Sequence, residues 1–174
     1  MAIPARFQLR PATAADEPVL WQMLFYAAHM AEDGATTPAA AQENPFLAQY
    51  VEGWGQPDDL GLVAESEGEA IGAAWLRLLI ADPSSASYYD DRTPELAIAV
   101  TPAWIGQGVG TALLDGLLAA AHTHFPTIVL TVRADNPAVR LYARCGFAVI
   151  GEIVNRVGTR SVKMLWTNGR DQDE

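Results

Sequence analysis

The sequence predicts an α/β fold with a mixed, mostly antiparallel central sheet, one parallel strand pair and helices on both faces. Short apolar segments typical of strands alternate with segments of helical periodicity along the whole chain. Segments 60–66 and 70–80 are separated by a short turn containing Gly68, which predicts an antiparallel hairpin. Segments 95–101 and 127–132 flank one helical segment, and a right-handed crossover of this kind makes two strands parallel.

The first half of the chain is defined by local patterns. Thr13 is predicted to cap a helix that runs to residue 31, because Asp16 stands three residues later in a capping-box pattern. Apolar residues recur at helical spacing from Val19 onward. The other predicted elements of this half are a strand at 7–10, a loop at 32–44 and a short helix at 46–52.

The second half contains clearer helix boundaries. A glycine-rich turn at 106–110 leads into a helix that ends near His122 and has leucines along one stripe. Asn136 is predicted to cap the next helix, with Pro137 in its first turn and Gly146 just past its end. The remaining elements are a polar loop at 82–94 and strands at 147–150 and 160–166.

Length and composition exclude several classes of protein. The 174 residues suit one domain, predicted at 1–166, with a frayed polar tail at 167–174. A net charge of -10 argues against nucleic-acid binding, which needs a basic surface. The charge is compatible with a cationic substrate, although solubility alone also explains it.

Cellular location is predicted from absences in the sequence. No apolar run approaches the roughly 18 residues of a membrane span, and the first ten residues do not resemble a signal peptide. The single cysteine, Cys145, cannot form an internal disulfide, which agrees with a reducing compartment. We therefore expect a cytoplasmic protein with no membrane partner, and the few histidines predict no metal site.

The glycine turn is the strongest chemical signal. Glycine allows a close backbone approach to a ligand, and the free amides at a helix start together with the helix dipole favour a pyrophosphate. The predicted amide donors are Gly106, Gln107, Gly108, Val109, Gly110 and Thr111. Two alternatives remain: a tight turn that binds nothing, and a dinucleotide site. The Gly-x-Gly-x-Gly spacing, which follows an antiparallel block, argues against the dinucleotide site.

Two sequence blocks resemble the Gcn5-related N-acetyltransferases, or GNAT family. Gly108 and Gly110 match the family's acetyl-CoA signature, Arg/Gln-x-x-Gly-x-Gly/Ala, whereas Ile105 stands where Arg or Gln is usual. The second block is similar to the family pattern Asn-x-x-Ala/Val-x-x-Leu-Tyr-x-x-x-Gly-Phe, which begins at Asn136 and includes Tyr142. Both blocks occur in the family's order, and the resemblance extends over nearly the whole chain.

The resemblance implies a binding mode for acetyl-CoA. In the family, a bulge splays the strand equivalent to 95–101 from its parallel neighbour, and the pantetheine arm pairs with its backbone. The resemblance assigns those contacts to Ile98, Ala99 and Val100, and adds Ile105 and Asn136 to the coenzyme-binding residues. The amide of Val100 would polarise the thioester carbonyl.

The resemblance also implies the chemistry. An amine must be deprotonated to attack, and Glu95, acting through water, is the candidate base; a solvated glutamate at a strand end is the alternative. Tyr142 is the candidate acid for the departing thiolate, and a packed aromatic is the alternative. The expected acceptor is a small amine or a peptide amine. Five aromatic residues are candidates for lining its pocket, although most aromatic residues at such spacings are core; they are Trp21, Tyr26, Trp75, Tyr88 and Tyr89.

Three questions stay open at the level of sequence. A non-catalytic acyl-CoA-binding module is the main alternative to an enzyme, because Ile105 departs from the signature. A histidine at position 29 ends the first helix, where it would either face a ligand or be solvated. A homodimer is common in the family, but no residue pattern in this chain identifies one.

Overall fold

The computed structural model describes residues 6–28, 30, 34, 37–79, 85–155 and 157–169. The strands are β1 (Gln8–Pro11), β2 (Leu60–Ser66), β3 (Glu69–Arg77), β4 (Glu95–Val100), β5 (Thr127–Arg133), β6 (Ala148–Val154) and β7 (Arg160–Thr167). The helices are α1 (Glu17–Ala27), α2 (Ala39–Glu43), α3 (Pro45–Ala48), α4 (Val109–Ala121) and α5 (Ala138–Arg144).

The strands form a mixed sheet in the order β1-β2-β3-β4-β5-β7-β6. The β1–β2, β5–β7 and β6–β7 pairs are antiparallel. The β4–β5 pair is parallel, and its ladder among the described residues comprises one residue pair, Glu95 with Val129. The predicted fold class, a mostly antiparallel sheet with one parallel pair, is confirmed.

Contacts divide the chain into two compact units. The first comprises Met1–Trp75 and Ala97–Leu117, and the second comprises Leu76–Leu96 and Leu118–Glu174. Strands β3 and β4 and helix α4 contribute residues to both units.

The first unit is built around side chains from α1, α2, α3 and the central strands. Leu20, Met23 and Trp75 are fully buried in its core. Burying a large apolar side chain contributes about 1.5–3 kcal/mol, so this cluster anchors the helices on the sheet. The Trp75 indole also donates a hydrogen bond of 3.0 Å to the carbonyl of Tyr50.

An ion pair fixes the start of α1. The Arg10 guanidinium contacts both oxygens of Asp16 at 2.8 and 2.7 Å, and its Nε donates to Glu65 at 2.7 Å. The Asp16 carboxylate also accepts the backbone N–H of Thr13 at 2.7 Å, so the predicted capping box is present, although it caps a 3₁₀ turn ahead of α1. The hydrogen bond from Arg10 lowers the pKa of Asp16 despite its burial.

The second unit packs α5 and the loop 85–93 with strands β5, β6 and β7. Its core includes Ile128, Leu130 and Met164, all nearly inaccessible to solvent. The ammonium of Lys163 on β7 donates to the carbonyls of Ala86 and Tyr88 and so ties the loop to the strand.

Several predicted boundaries are wrong. The loop predicted at 32–44 contains α2, because α2 lies on the core through Ala41, which is fully buried. The helix predicted at 46–52 is the four-residue α3, which begins at Pro45 where Asn44 accepts the N–H of Phe46. Helix α1 ends at Ala27 instead of 31, and most of the loop between α1 and α2 lies outside the described residues.

The later strands also differ in extent. The strand predicted at 70–80 ends at Arg77, β6 extends from 148 to 154 instead of 147 to 150, and β7 includes Thr167 of the predicted tail. Pairing along β7 determines the length of β6, since the register between them continues to Val154 opposite Arg160. The strand at 60–66 is confirmed residue for residue.

Candidate functional site

The glycine turn before α4 adopts a conformation that requires glycine. Gly106 has φ 79° and Gly108 has φ 85°, both in the left-handed region. A Cβ added at either position would meet nothing within 4 Å, so open space adjoins both glycines. Gly110 differs, because it lies in the first turn of α4, where an added Cβ would be 3.7 Å from Val100.

The amides of this turn are available to a ligand. The backbone N–H of Ala112 donates to Gly108 at 3.1 Å, the first i to i−4 bond of α4. The N–H groups that precede Ala112 at a helix start have no acceptor within the helix. With the positive end of the helix dipole, they form a site suited to an anion.

Side chains from a distant segment lie against the turn. Arg6 donates from Nη1 to Oε1 of Gln107 at 2.6 Å, and its guanidinium carbon is 5.0 Å from the centre of the Trp104 ring. The Nε2 of Gln107 donates to the carbonyl of Ala103 at 2.9 Å, which holds its carboxamide in place. Sequence reasoning missed Arg6, which is separated from Gln107 by 101 positions and belongs to no motif.

Ile105 lies at the edge of the turn and is 68% exposed. It follows the 3₁₀ turn Pro102–Trp104, where its backbone N–H donates to the carbonyl of Pro102, and its side chain is apolar. The signature position that usually carries Arg or Gln therefore carries an exposed apolar side chain in this protein.

Strand β4 carries four of the predicted site residues. Ala99 is buried, and Ile98 and Val100 are half-buried. Glu95 is only 4% exposed. The alternative of a solvated glutamate at a strand end is therefore wrong. Among the described residues, the parallel ladder between β4 and β5 comprises only the pair Glu95 and Val129, so the backbone groups of residues 96–100 take no part in it.

Helix α5 carries the other predicted site residues. The N-cap of α5 is Pro137, one residue later than predicted, although the side chain of Asn136 accepts the N–H of Ala138 at 2.9 Å and so satisfies one amide of the first turn. Gly146 has φ 102° and follows the helix end, as predicted.

Tyr142 is almost completely buried. The ring contacts Phe147 edge-to-face at 5.9 Å, and only 8% of the residue is exposed. Within the described residues Oη makes no hydrogen bond, and no fully buried side-chain nitrogen or oxygen lacks a partner. The hydroxyl oxygen therefore keeps a small solvent-accessible area. Burial raises the pKa of Tyr142 to about 12, because it disfavours the charged phenolate, so the phenol is neutral at physiological pH.

A groove of about 500 Å³ lies beside α1 and α2 in the first unit. Its lining residues are Glu17, Pro18, Trp21, Gln22, Pro38 and Gln42. The Trp21 indole donates to Glu17 at 3.4 Å, which places a carboxylate next to an aromatic ring. Trp21 thus lines the groove, as a candidate for the acceptor pocket should. Trp75, another candidate, is a core residue.

The remaining aromatic candidates lie on the core or in a loop. Tyr26 packs against Phe25 at 5.5 Å on the core of the first unit. Tyr88 donates its hydroxyl to Asp91 within the loop 85–93, and Tyr89 is exposed. Residue 29 lies outside the described residues, so the role of this histidine stays a prediction.

Comparison with known families identifies the class of protein. A model of the GNAT acetyltransferase family matches residues 21–147, which is most of the chain and includes the glycine turn and Tyr142. The protein belongs to the GNAT family of acetyltransferases. No curated protein matches the sequence.

Solved structures share the fold at low sequence identity. A Gcn5-related N-acetyltransferase from Kribbella flavida is 22% identical with a TM-score of 0.66, covering 95% of this chain and 99% of that one. The yncA protein of Salmonella typhimurium, solved with its cofactor acetyl-CoA, is 21% identical with a TM-score of 0.67, covering 97% of each chain. The spermidine/spermine N-acetyltransferase SpeG of Vibrio cholerae is 20% identical with a TM-score of 0.60, covering 94% and 95%. At these identities the similarity establishes the fold alone.

No helix in the described part of the chain has the length and apolar character needed to cross a membrane.

Proposed function

We propose that this protein is an N-acetyltransferase that transfers the acetyl group of acetyl-CoA directly to a primary amine of a small molecule or a peptide. The observation that carries the proposal is the turn before α4, in a chain of the GNAT family. Its two left-handed glycines border open space, and the helix-start amides that follow are suited to a diphosphate.

The residues present fit acetyl-CoA. A Cβ added at Gly106 or Gly108 would meet nothing within 4 Å, so the turn leaves room for a ligand next to its backbone. The amides of residues 106–111 would hold the diphosphate, and the backbone of Ile98, Ala99 and Val100 would hold the pantetheine arm. Asn136 would add a side-chain contact. When bound, the coenzyme supplies an acetyl group activated as a thioester.

Three groups of this chain would act on the reaction. The backbone N–H of Val100 would donate to the thioester oxygen as negative charge develops on it. Glu95 would accept, through water, the proton that the attacking amine must lose, since a free amine has a pKa of about 10 and is protonated at neutral pH. Its burial at the start of β4 supports this role over that of a surface charge.

Tyr142 would donate from its hydroxyl to the departing sulfur. The phenol, with a pKa of about 12, is a weaker acid than a thiol, whose pKa is about 8.5. The hydroxyl would therefore act first as a hydrogen-bond donor that stabilises the forming thiolate. Its neutrality at every ordinary pH keeps the donor available.

The groove beside α1 supports a cationic acceptor. Glu17 and the Trp21 ring provide a carboxylate and an aromatic face, and both attract ammonium groups. The net charge of -10 acts in the same direction. A structural relative, SpeG, acts on spermidine and spermine, which are cationic amines.

The test is thiol release from acetyl-CoA in the presence of an amine panel of polyamines, aminoglycosides and peptides with free N-termini. We expect release above the hydrolysis background with at least one amine and detection of the N-acetyl product by mass spectrometry. The exposed Ile105 favours the second candidate, an acyl-CoA-binding module. Tight binding of the coenzyme with no product from any amine would support that module and reject the enzyme.

Location and assembly are part of the same proposal. A single cysteine and no membrane-spanning helix in the described residues suit a cytoplasmic enzyme, which fractionation of cells would test. A homodimer is open to measurement by light scattering.

A further inference from the structure

The turn before α4 has no cationic side chain of its own. Residues 102–112 contain no lysine or arginine, and Ile105 occupies the signature position at which a basic or amide side chain is usual. Backbone amides alone would therefore have to stabilise the negative charge of a diphosphate, in a chain with a net charge of -10. Such a chain repels an anion at long range.

Arg6 places a guanidinium at this turn from another part of the sequence. Its Nη1 lies 2.6 Å from Oε1 of Gln107, between the two left-handed glycines. The guanidinium lies over the Trp104 ring at 5.0 Å, and Phe7 packs edge-to-face against the same ring at 6.3 Å. These contacts join the segment before β1 to the turn.

The contacts orient Arg6 without neutralising it. A carboxamide and an indole ring carry no net charge, so the guanidinium keeps its positive charge. A guanidinium has five N–H donors, and the bond to Gln107 uses one of them. The remaining donors suit the oxygens of a phosphate, which arginine binds in a bidentate manner.

We propose that Arg6 is a phosphate ligand of this site and binds the diphosphate of coenzyme A in place of the side chain missing at Ile105. The inference rests on the proposed function, because it requires that the turn binds the coenzyme. It adds a binding residue that lies outside both sequence blocks of the family signature.

Calorimetry with CoA and with dephospho-CoA tests the proposal. Dephospho-CoA lacks the 3′-phosphate and retains the diphosphate. The variants are Arg6→Gln, which removes the charge, and Arg6→Lys, which keeps it. The matched control is Arg160→Gln, which makes the same change in net charge at an exposed arginine paired with Glu152 at 3.5 Å. Thermal melts without ligand check that each variant is folded.

We expect Arg6→Gln to raise the Kd for both ligands by about tenfold, as the loss of a charge-assisted hydrogen bond predicts. Arg6→Lys should lose less affinity, and Arg160→Gln should match the wild type. The loss should shrink as the ionic strength rises towards 1 M, where screening shortens the range of the charge to about 3 Å.

The outcomes separate this inference from the proposed function. A wild-type protein that binds neither ligand would reject the coenzyme site altogether. Wild-type binding with an unchanged Kd in Arg6→Gln would reject the role of Arg6 alone. A loss of affinity for CoA but not for dephospho-CoA would reject the diphosphate as the group that Arg6 binds. An equal loss of affinity in Arg160→Gln would show that net charge alone causes the effect, which would also reject the proposal.

Discussion

Two glycines in the same turn should respond in opposite ways to the same substitution. Gly108 has φ 85°, and an alanine forced into the left-handed region costs about 1–2 kcal/mol. Gly110 lies in the first turn of α4 with a helical backbone, and its new Cβ would rest 3.7 Å from Val100, an ordinary contact. Alanine there should gain about 0.5–1 kcal/mol from its helix propensity.

The expected difference in unfolding free energy between Gly108→Ala and Gly110→Ala is about 1.5–3 kcal/mol. For a chain of this length, this corresponds to a difference in Tm of about 3–12 °C, with Gly110→Ala the more stable. In Gly108→Ala the turn must shift to relieve the strain, and the new methyl group enters the open space. We therefore expect its Kd for CoA to rise about tenfold, against a small change in Gly110→Ala.

Thermal unfolding without ligand and calorimetry with CoA measure the two effects separately. Wild type and Gly110→Ala serve as the paired controls. If Gly110→Ala proved the less stable variant, or if both variants bound CoA equally well, the reasoning from the left-handed turn would be refuted.

The remaining predictions concern the proposed chemistry and an ion pair. Tyr142→Phe keeps the ring beside Phe147 and removes the hydroxyl, so kcat should fall about 100-fold with the Kd for CoA unchanged. Because the pKa of Tyr142 is about 12, kcat of the wild type should show no fall from its ionisation below about pH 11. Glu95→Gln should lower kcat by at least about 100-fold in thiol-release assays. Asp16→Asn should destabilise the fold by about 2–3 kcal/mol in urea titrations, below the range for fully buried pairs because Arg10 is 36% exposed.

Each of these predictions has a contrary outcome. Unchanged turnover in Tyr142→Phe would leave its ring as packing only, and unchanged turnover in Glu95→Gln would reject the base. For Asp16 the control is Glu152→Gln, which breaks an exposed ion pair with Arg160 at 3.5 Å. This variant should lower the free energy of unfolding by less than about 0.5 kcal/mol. Equal effects of these two variants would contradict the role assigned to burial.

The pH dependence of stability follows from the lowered pKa of Asp16. A carboxylate whose folded pKa is below its unfolded value stabilises the fold fully above the unfolded value, which is near 3.8. This contribution is lost as the pH falls through the folded pKa. The free energy of unfolding of the wild type should therefore approach that of Asp16→Asn below about pH 4. A constant difference in this free energy down to pH 2 would contradict the assignment.

Local sequence determined the elements that have clear boundary signals. The apolar run at β2, the glycine turn before α4, the capping side chain of Asn136 and the end of α5 at Gly146 were all predicted from neighbouring residues. Backbone conformation and capping depend on residues within one or two turns of each other, so a single sequence carries that information. The fold class was predicted from these elements in order, and the observed sheet confirms it. The family was predicted from the resemblance of two sequence blocks, and the family match confirms it.

Only the tertiary structure decided which distant residues meet. The burial of Glu95, the helix α2 inside a predicted loop, and the placement of β7 between β5 and β6 depend on packing against segments far away in sequence. The contact of Arg6 with Gln107 joins residues 101 positions apart and has no local signature. Such contacts are selected by the free energy of the whole core and sheet, which no short stretch of sequence contains.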